Sequence, residues 1–195
     1  MTDVYLESKY GKENLAKRLK KERRDIIGFV NGQPVVDSVS KGMSLLNANS
    51  YQKGGWVLHM LRRQLGDSIF HLIIRNYYDK FKGKNADSED FRECVEAVTK
   101  KDFKQFFKQW LYTPAIPELG VKWSYNNETA SITVTQLQKQ PFQFPLQIAL
   151  ETRSTKEKIV SFNITQQTET FTIKTGGAIT KLTLDPLTSL LFTQK

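Results

Sequence analysis

Up to Thr113 the apolar residues recur three and four positions apart, and after Pro117 they alternate with Thr, Gln and Lys. The first spacing belongs to helices with one buried face, the second to strands with one wet face. The pattern therefore predicts a helical half, a change of character between Pro114 and Pro117, and a β half. It predicts the end of a helix over residues 4–10, a helix over about 13–27, a loop at 28–34 and irregular or short helical chain over 35–49. A helix starting near Tyr51 comes next, with Asn49 or Ser50 as its cap and Val57, Met60, Leu61 and Leu65 as its buried stripe. Gly66 ends it, and Asp67 caps a helix carrying Ile69, Phe70, Ile73, Tyr77 and Phe81. Asp87 or Ser88 caps another, with Phe91, Cys94, Val95 and Val98. Asp102 and Gln105 form a capping-box-like start. Phe103, Phe106, Phe107, Trp110 and Leu111 then share one face until Thr113-Pro114 stops the helix.

In the β half, strands are predicted over 121–125, 131–138, 143–151, 158–164, 169–174 and 181–184, with a short addition at 190–192. Turns are predicted at Asn126-Asn127 and Gly176-Gly177. The fold class expected is α + β in two domains. Residues 1–116 would form an antiparallel α-helical bundle, and residues 117–195 an antiparallel β-sandwich.

Composition changes this picture little. The 195 residues are 25% charged, 11% aromatic and 39% hydrophobic, an ordinary globular mix. The net charge of +9 owes much to Lys12, Lys17, Arg18, Lys20, Lys21, Arg23 and Arg24, interrupted by Glu13 and Glu22. That run reads as a solvated helix face. No zinc-finger spacing, glycine-arginine repeat or aromatic RNA signature accompanies it, so no nucleic acid is expected as a partner. Salt-dependent retention on DNA would argue otherwise. Cys94 is the single cysteine; it rules out an internal disulfide and falls on an apolar helix face. No apolar stretch is long enough to span a membrane. The first residues have no signal-peptide layout and read as the inside of a helix. A truncated chain is expected, and the localisation is not legible.

The candidate chemistry is sparse. His59 and His71 do not form a His-Glu-x-x-His pair, and a self-contained zinc site is not expected. Ser50, His59 and Asp67 make a nominal triad without a Gly-x-Ser-x-Gly elbow. Gly54-Gly55 is too short for a phosphate loop. Glu7 reads as a solvated helix carboxylate. Tyr51 is different. It stands at the mouth of an amphipathic helix, where amides add positive partial charge. Two glycines on the first turn cost about 1 kcal/mol each in helix propensity, which suggests close approach of another backbone or a ligand. A neutral phenol there suits stabilisation of developing negative charge.

Tyr51-x-Lys53-Gly54, then Leu58-His59-Met60-Leu61, then Leu65-Gly66-Asp67 and Phe70, resembles the aminopeptidase N-like zinc metallopeptidases, the gluzincin aminopeptidases. Tyr77-Tyr78, Asp90-Phe91, Asp102-Phe103 and Phe106-Phe107-x-Gln109-Trp110-Leu111 resemble the helical stretch downstream of that family's metal site. Pro117-x-Leu119, Gln136-x-Gln138, Phe144-Pro145-Leu146 and Asp185-Pro186 resemble its β-sandwich. Tyr5-Leu6-Glu7-x-Lys9-Tyr10-Gly11 is similar to the helix after its last zinc ligand. The resemblance implies the C-terminal portion of an enzyme hydrolysing N-terminal residues from peptides, with zinc in the full-length parent and none bound to this piece. By that resemblance the zinc ligands and the general base precede Met1, Glu7 is not a ligand, and the upstream zinc-binding half of the same chain is a partner. Tyr51 alone carries over as catalytic, donating a hydrogen bond to the tetrahedral intermediate. The alternative is a non-catalytic helical plus β-sandwich interaction module whose basic surface recruits an acidic partner.

Overall fold

The computed structural model describes residues 2–29, 32–153 and 158–195. The chain folds as helices plus two sheets and divides into two compact units, residues 31–115 and residues 1–30 with 116–195. Secondary structure changes type where the sequence does, between Tyr112 and Glu118.

The all-helical unit contains α3 (Gly54–Leu65), α4 (Asp67–Phe81), α5 (Ser88–Thr99) and a short α6 (Lys104–Phe107). A 3₁₀ turn at Gly42–Leu45 and a π-helical turn at Asn49–Lys53 precede α3, and a second π-turn, Lys108–Tyr112, continues α6. Gly66, at φ 81°, breaks the chain between α3 and α4, a conformation that suits a residue without Cβ. Asp87 closes a full capping box on α5. Its carboxylate accepts from the Glu89 and Asp90 amides at 2.9 Å each, and Asp90 accepts from the Asp87 amide at 3.0 Å. At α6 Asp102 accepts from the Lys104 amide, but Gln105 donates to Gln109 and does not complete a box.

The buried faces follow the predicted spacing. Val57, Met60, Leu61, Phe70, Ile73, Val95, Phe103, Phe107, Trp110 and Leu111 are buried. Leu65 is only half-buried, Ile69 is exposed, and Trp56 joins the core beside Val57. A chain of edge-on and tilted rings links three helices. Tyr77 meets Phe81 and Phe91 at 5.1 Å, Phe91 meets Phe107 at 6.0 Å, and Phe107 meets Phe106 at 5.6 Å. Cys94 is buried, as its place on an apolar face implied, and burial pushes its thiol pKa up.

The second unit begins with α1 (Thr2–Tyr10) and α2 (Lys12–Phe29), which runs two residues past the predicted end at 27. Its strands are β1 (Glu118–Asn126), β2 (Thr129–Gln136), β3 (Phe144–Thr152), β4 (Lys158–Ile164), β5 (Thr168–Lys174), β6 (Ile179–Leu184) and β7 (Thr193–Gln194). They form one sheet in the order β5-β2-β1-β7 and another in the order β4-β3-β6. The rings of Phe162 in β4 and Phe171 in β5 stack at 4.2 Å between the two sheets. Ala130, Ile132, Val134 and Gln136 are buried along β2 and alternate with half-exposed residues. In β3, Ala149 is buried as well as Ile148 and Leu150, so that sheet has no wholly wet face.

Three expectations need correcting. The sheets are not purely antiparallel: β7 pairs parallel with β1, because the chain returns from β6 through a buried Leu190–Phe192 stretch before pairing. The short last strand is therefore Thr193–Gln194, while Leu190, Leu191 and Phe192 fill the core. The β1–β2 turn falls one residue later than predicted, on Asn127 and Glu128, both at positive φ, because Asn126 is still paired with Thr129.

The basic run lies on α2 as a largely exposed face, with Arg18 on Glu22 and Lys21 on Asp25. Arg23 does something else. Its guanidinium donates to the buried Asp185 carboxylate at 2.7 Å and to the Leu190 carbonyl, and lies 5.1 Å over the Phe192 ring. Asp185 also accepts from the Ser189 and Leu190 amides. Burial pushes its carboxyl pKa up against the pull of these amides and of Arg23.

Candidate functional site

Tyr51 sits in the middle of the π-turn Asn49–Lys53, which feeds directly into α3. Turns of this kind often mark functional positions. The cap is neither Asn49 nor Ser50. Asn47 accepts from the amides of both, at 2.9 and 3.2 Å, because a side-chain acceptor must lie two or three residues before the free amides it serves. Ser50 donates its hydroxyl to the Leu45 carbonyl, and the Tyr51 amide bonds to the Asn47 carbonyl at 3.1 Å. The turn is thus tied down on its N-terminal side. Tyr51 itself is 63% exposed.

Lys53, two residues on, is fully buried at 0% exposure. Its ammonium donates to the carbonyls of Thr113 (3.3 Å) and Ala115 (3.2 Å), where the second π-turn ends. Burial lowers its pKa to about 8. The Val36 amide donates to the Leu111 carbonyl at 3.0 Å, so the irregular chain at Val36 and the π-turn that carries Lys53 are tied to the same stretch of chain. Lys53 stands in the Tyr51-x-Lys53-Gly54 motif, which by itself assigns it no role. A lysine placed two residues from an exposed tyrosine on a helix start was the available signal, since the two must face opposite ways.

The glycines do not show the close approach expected of them. A Cβ on Gly54 would lie 3.5 Å from Val35 Cγ1, an ordinary contact, and a Cβ on Gly55 would meet nothing within 4 Å among the described residues. The backbone there is helical, not left-handed.

The nominal triad is not assembled. Ser50 is engaged with Leu45. His59 is buried with its ring 5.2 Å from Trp56. Asp67 does not cap α4 but takes both Nε and Nη2 of Arg62, at 2.7 and 3.0 Å. That pairing holds its carboxyl below the usual range; the fork of a guanidinium on the preceding turn outcompetes amides at the helix start. His71 lies against Phe70 on α4. Glu7 lies in α1, in the other compact unit. Among the described residues no group of three His, Cys, Asp or Glu could hold a metal ion. The described side chains therefore do not by themselves make up a zinc ligand set. No helix among the described residues is long and apolar enough to cross a membrane.

Along the chain leading to Tyr51, Val39, Met43 and Leu46 are exposed apolar side chains. The site is thus one exposed phenol on an anchored turn, with apolar surface preceding it in sequence.

A sequence profile of the peptidase family M1 domain matches residues 5–110, more than half of the chain. The chain is 28% identical over 142 residues to aminopeptidase N of Escherichia coli (strain K12), covering 62% of this chain and 16% of that one. It is 32% identical over 92 residues to aminopeptidase N of Lactococcus lactis subsp. lactis, covering 47% and 10%. The crystal structure of Legionella pneumophila aminopeptidase A in complex with aspartic acid shares the fold. Its TM-score is 0.78 at 18% identity, over 99% of this chain and 22% of that one. The chain spans about a sixth of the length of the Escherichia coli relative.

Proposed function

The chain belongs to peptidase family M1, and from that premise we propose that it is the C-terminal portion of a zinc-dependent aminopeptidase that hydrolyses N-terminal residues from peptides. Its homologues are aminopeptidases. In this reading residues 1–116 are the helical C-terminal half of the catalytic domain and residues 117–195 a β-sandwich domain. The zinc ligands and the general base belong to other residues of the parent, and this chain by itself is inactive. The exposed Val39, Met43 and Leu46 would pack on that other half.

The part contributed here is Tyr51. Its phenol donates a hydrogen bond to the oxygen that gains negative charge as the scissile carbonyl becomes tetrahedral. A donor already in place when that charge develops needs no reorganisation in the transition state, so it lowers the barrier. The observation that carries the reading is the exposed phenol on a turn fixed from both ends, by the Asn47 cap and by buried Lys53.

The test is Tyr51→Phe in the full-length parent. Turnover should fall on the order of a hundredfold or more, with modest change in KM, as for loss of one oxyanion donor. Unchanged kcat would remove Tyr51 from the mechanism.

A further inference from the structure

We propose that Lys53 is a positioning residue for Tyr51, holding the π-turn that presents the phenol by clamping it, from inside the protein, to the Thr113 and Ala115 carbonyls. The proposal rests on the oxyanion reading of Tyr51.

Four observations support it. Lys53 and Tyr51 share one five-residue turn, and one is fully buried while the other is 63% exposed. They therefore point to opposite sides, and a shift of the buried end moves the exposed one. The lysine ammonium reaches two carbonyls, at 3.3 and 3.2 Å, at the end of the π-turn Lys108–Tyr112, where carbonyls have no onward helical amide to accept from. Pro114 between them cannot donate one either. No carboxylate among the described residues is in ion-pair contact with Lys53. A buried cation without a counter-charge costs stability that an apolar residue of the same length would not. Finally, the same helix end receives the Val36 amide through Leu111, and Val35 lies against Gly54 on the next residue of the turn. The turn is thus held between the 35–36 segment and the 111–115 segment, and Lys53 is its polar tie to the latter.

A donor of this kind must be placed to within a fraction of an ångström, and a misplacement of about 1 Å can cost on the order of a hundredfold. A lysine acting through the phenol has a signature that a merely structural lysine lacks: its effect disappears when the phenol hydroxyl is absent.

The experiment is a double-mutant cycle in the full-length enzyme with Lys53→Met and Tyr51→Phe. Lys53→Met alone should lower kcat roughly tenfold or more with KM changed less, and in the Tyr51→Phe background it should change kcat less than about twofold. In the same protein the amides of Gln52, Lys53 and Gly54 should exchange hydrogen faster in Lys53→Met, while those of α5 keep their rates. Equal fold losses in both backgrounds, or no loss in either, would overturn the proposal while leaving the oxyanion reading intact. Unchanged kcat in Tyr51→Phe alone would sink both. Should Lys53→Met fail to fold, Lys53→Arg, which keeps donors in a longer planar head, goes through the same cycle. A loss confined to the Tyr51 background supports the proposal, and an equal loss in both backgrounds refutes it.

Discussion

Lys53 makes a prediction about stability that is separate from catalysis. Folded, its pKa is lowered from 10.5 to about 8 by burial. Between those two values the unfolded chain binds more protons than the folded one, so this residue makes stability rise with pH across that window. Below pH 8 both states are charged and the burial penalty is fully present; above 10.5 both are neutral and it is gone. At pH 10 the relief relative to pH 7 comes to about 2–3 kcal/mol. The perturbation is pH, with Lys53→Met as the reference that cannot titrate, so that other ionising groups cancel in the difference. The assay is urea unfolding of both proteins at pH 7 and pH 10, followed by the fluorescence of Trp56 and Trp110, which are buried in the same compact unit as Lys53. Wild type should gain about 2–3 kcal/mol on the methionine variant between the two pH values. A difference that stays constant to within about 0.5 kcal/mol, where the linkage predicts several times that, would mean that the ammonium is hydrated and is not buried against Thr113 and Ala115.

Two further predictions concern the other unit. Arg23→Met removes the cation from the buried Asp185 carboxylate, which among the described residues keeps the Ser189 and Leu190 amides. Unfolding free energy should drop by about 3–5 kcal/mol, and a loss below about 1 kcal/mol, the range of exposed pairs, would place the pair at the surface. Glu128→Gly relieves a non-glycine residue at φ 61° in the β1–β2 turn. It should raise stability by roughly 1 kcal/mol, and a lower melting temperature would show that the left-handed turn carries no strain.

Much of the architecture was legible because periodicity is local. β4 was predicted with the bounds it has, and the other early strands moved by one to three residues at their ends. The buried side chains at the start of α6, in it and in its π-turn followed from the spacing of Phe103, Phe107, Trp110 and Leu111. Tyr51 as the candidate came from its place before an amphipathic helix. Where local signals were ambiguous, the choice depended on geometry. Asn47 won the cap over Asn49 and Ser50, and Asp67 went to Arg62 instead of its own helix start. The glycine pair suggested a crowding that the described residues do not show.

The sequence by itself determined where helix gives way to strand, between Tyr112 and Glu118, and the family to which the chain belongs. These depend on the order of apolar, polar and turn residues along the chain. Only the tertiary structure decided which polar side chains are committed and to what. Lys53 reaches carbonyls some sixty residues away, Arg23 reaches a carboxylate 162 residues away, and β7 returns to pair parallel with β1. A sequence pattern reports which face of an element is apolar; it has no term for a partner brought near by folding. The burial of Lys53, so close in sequence to the exposed Tyr51, is a fact of that second kind.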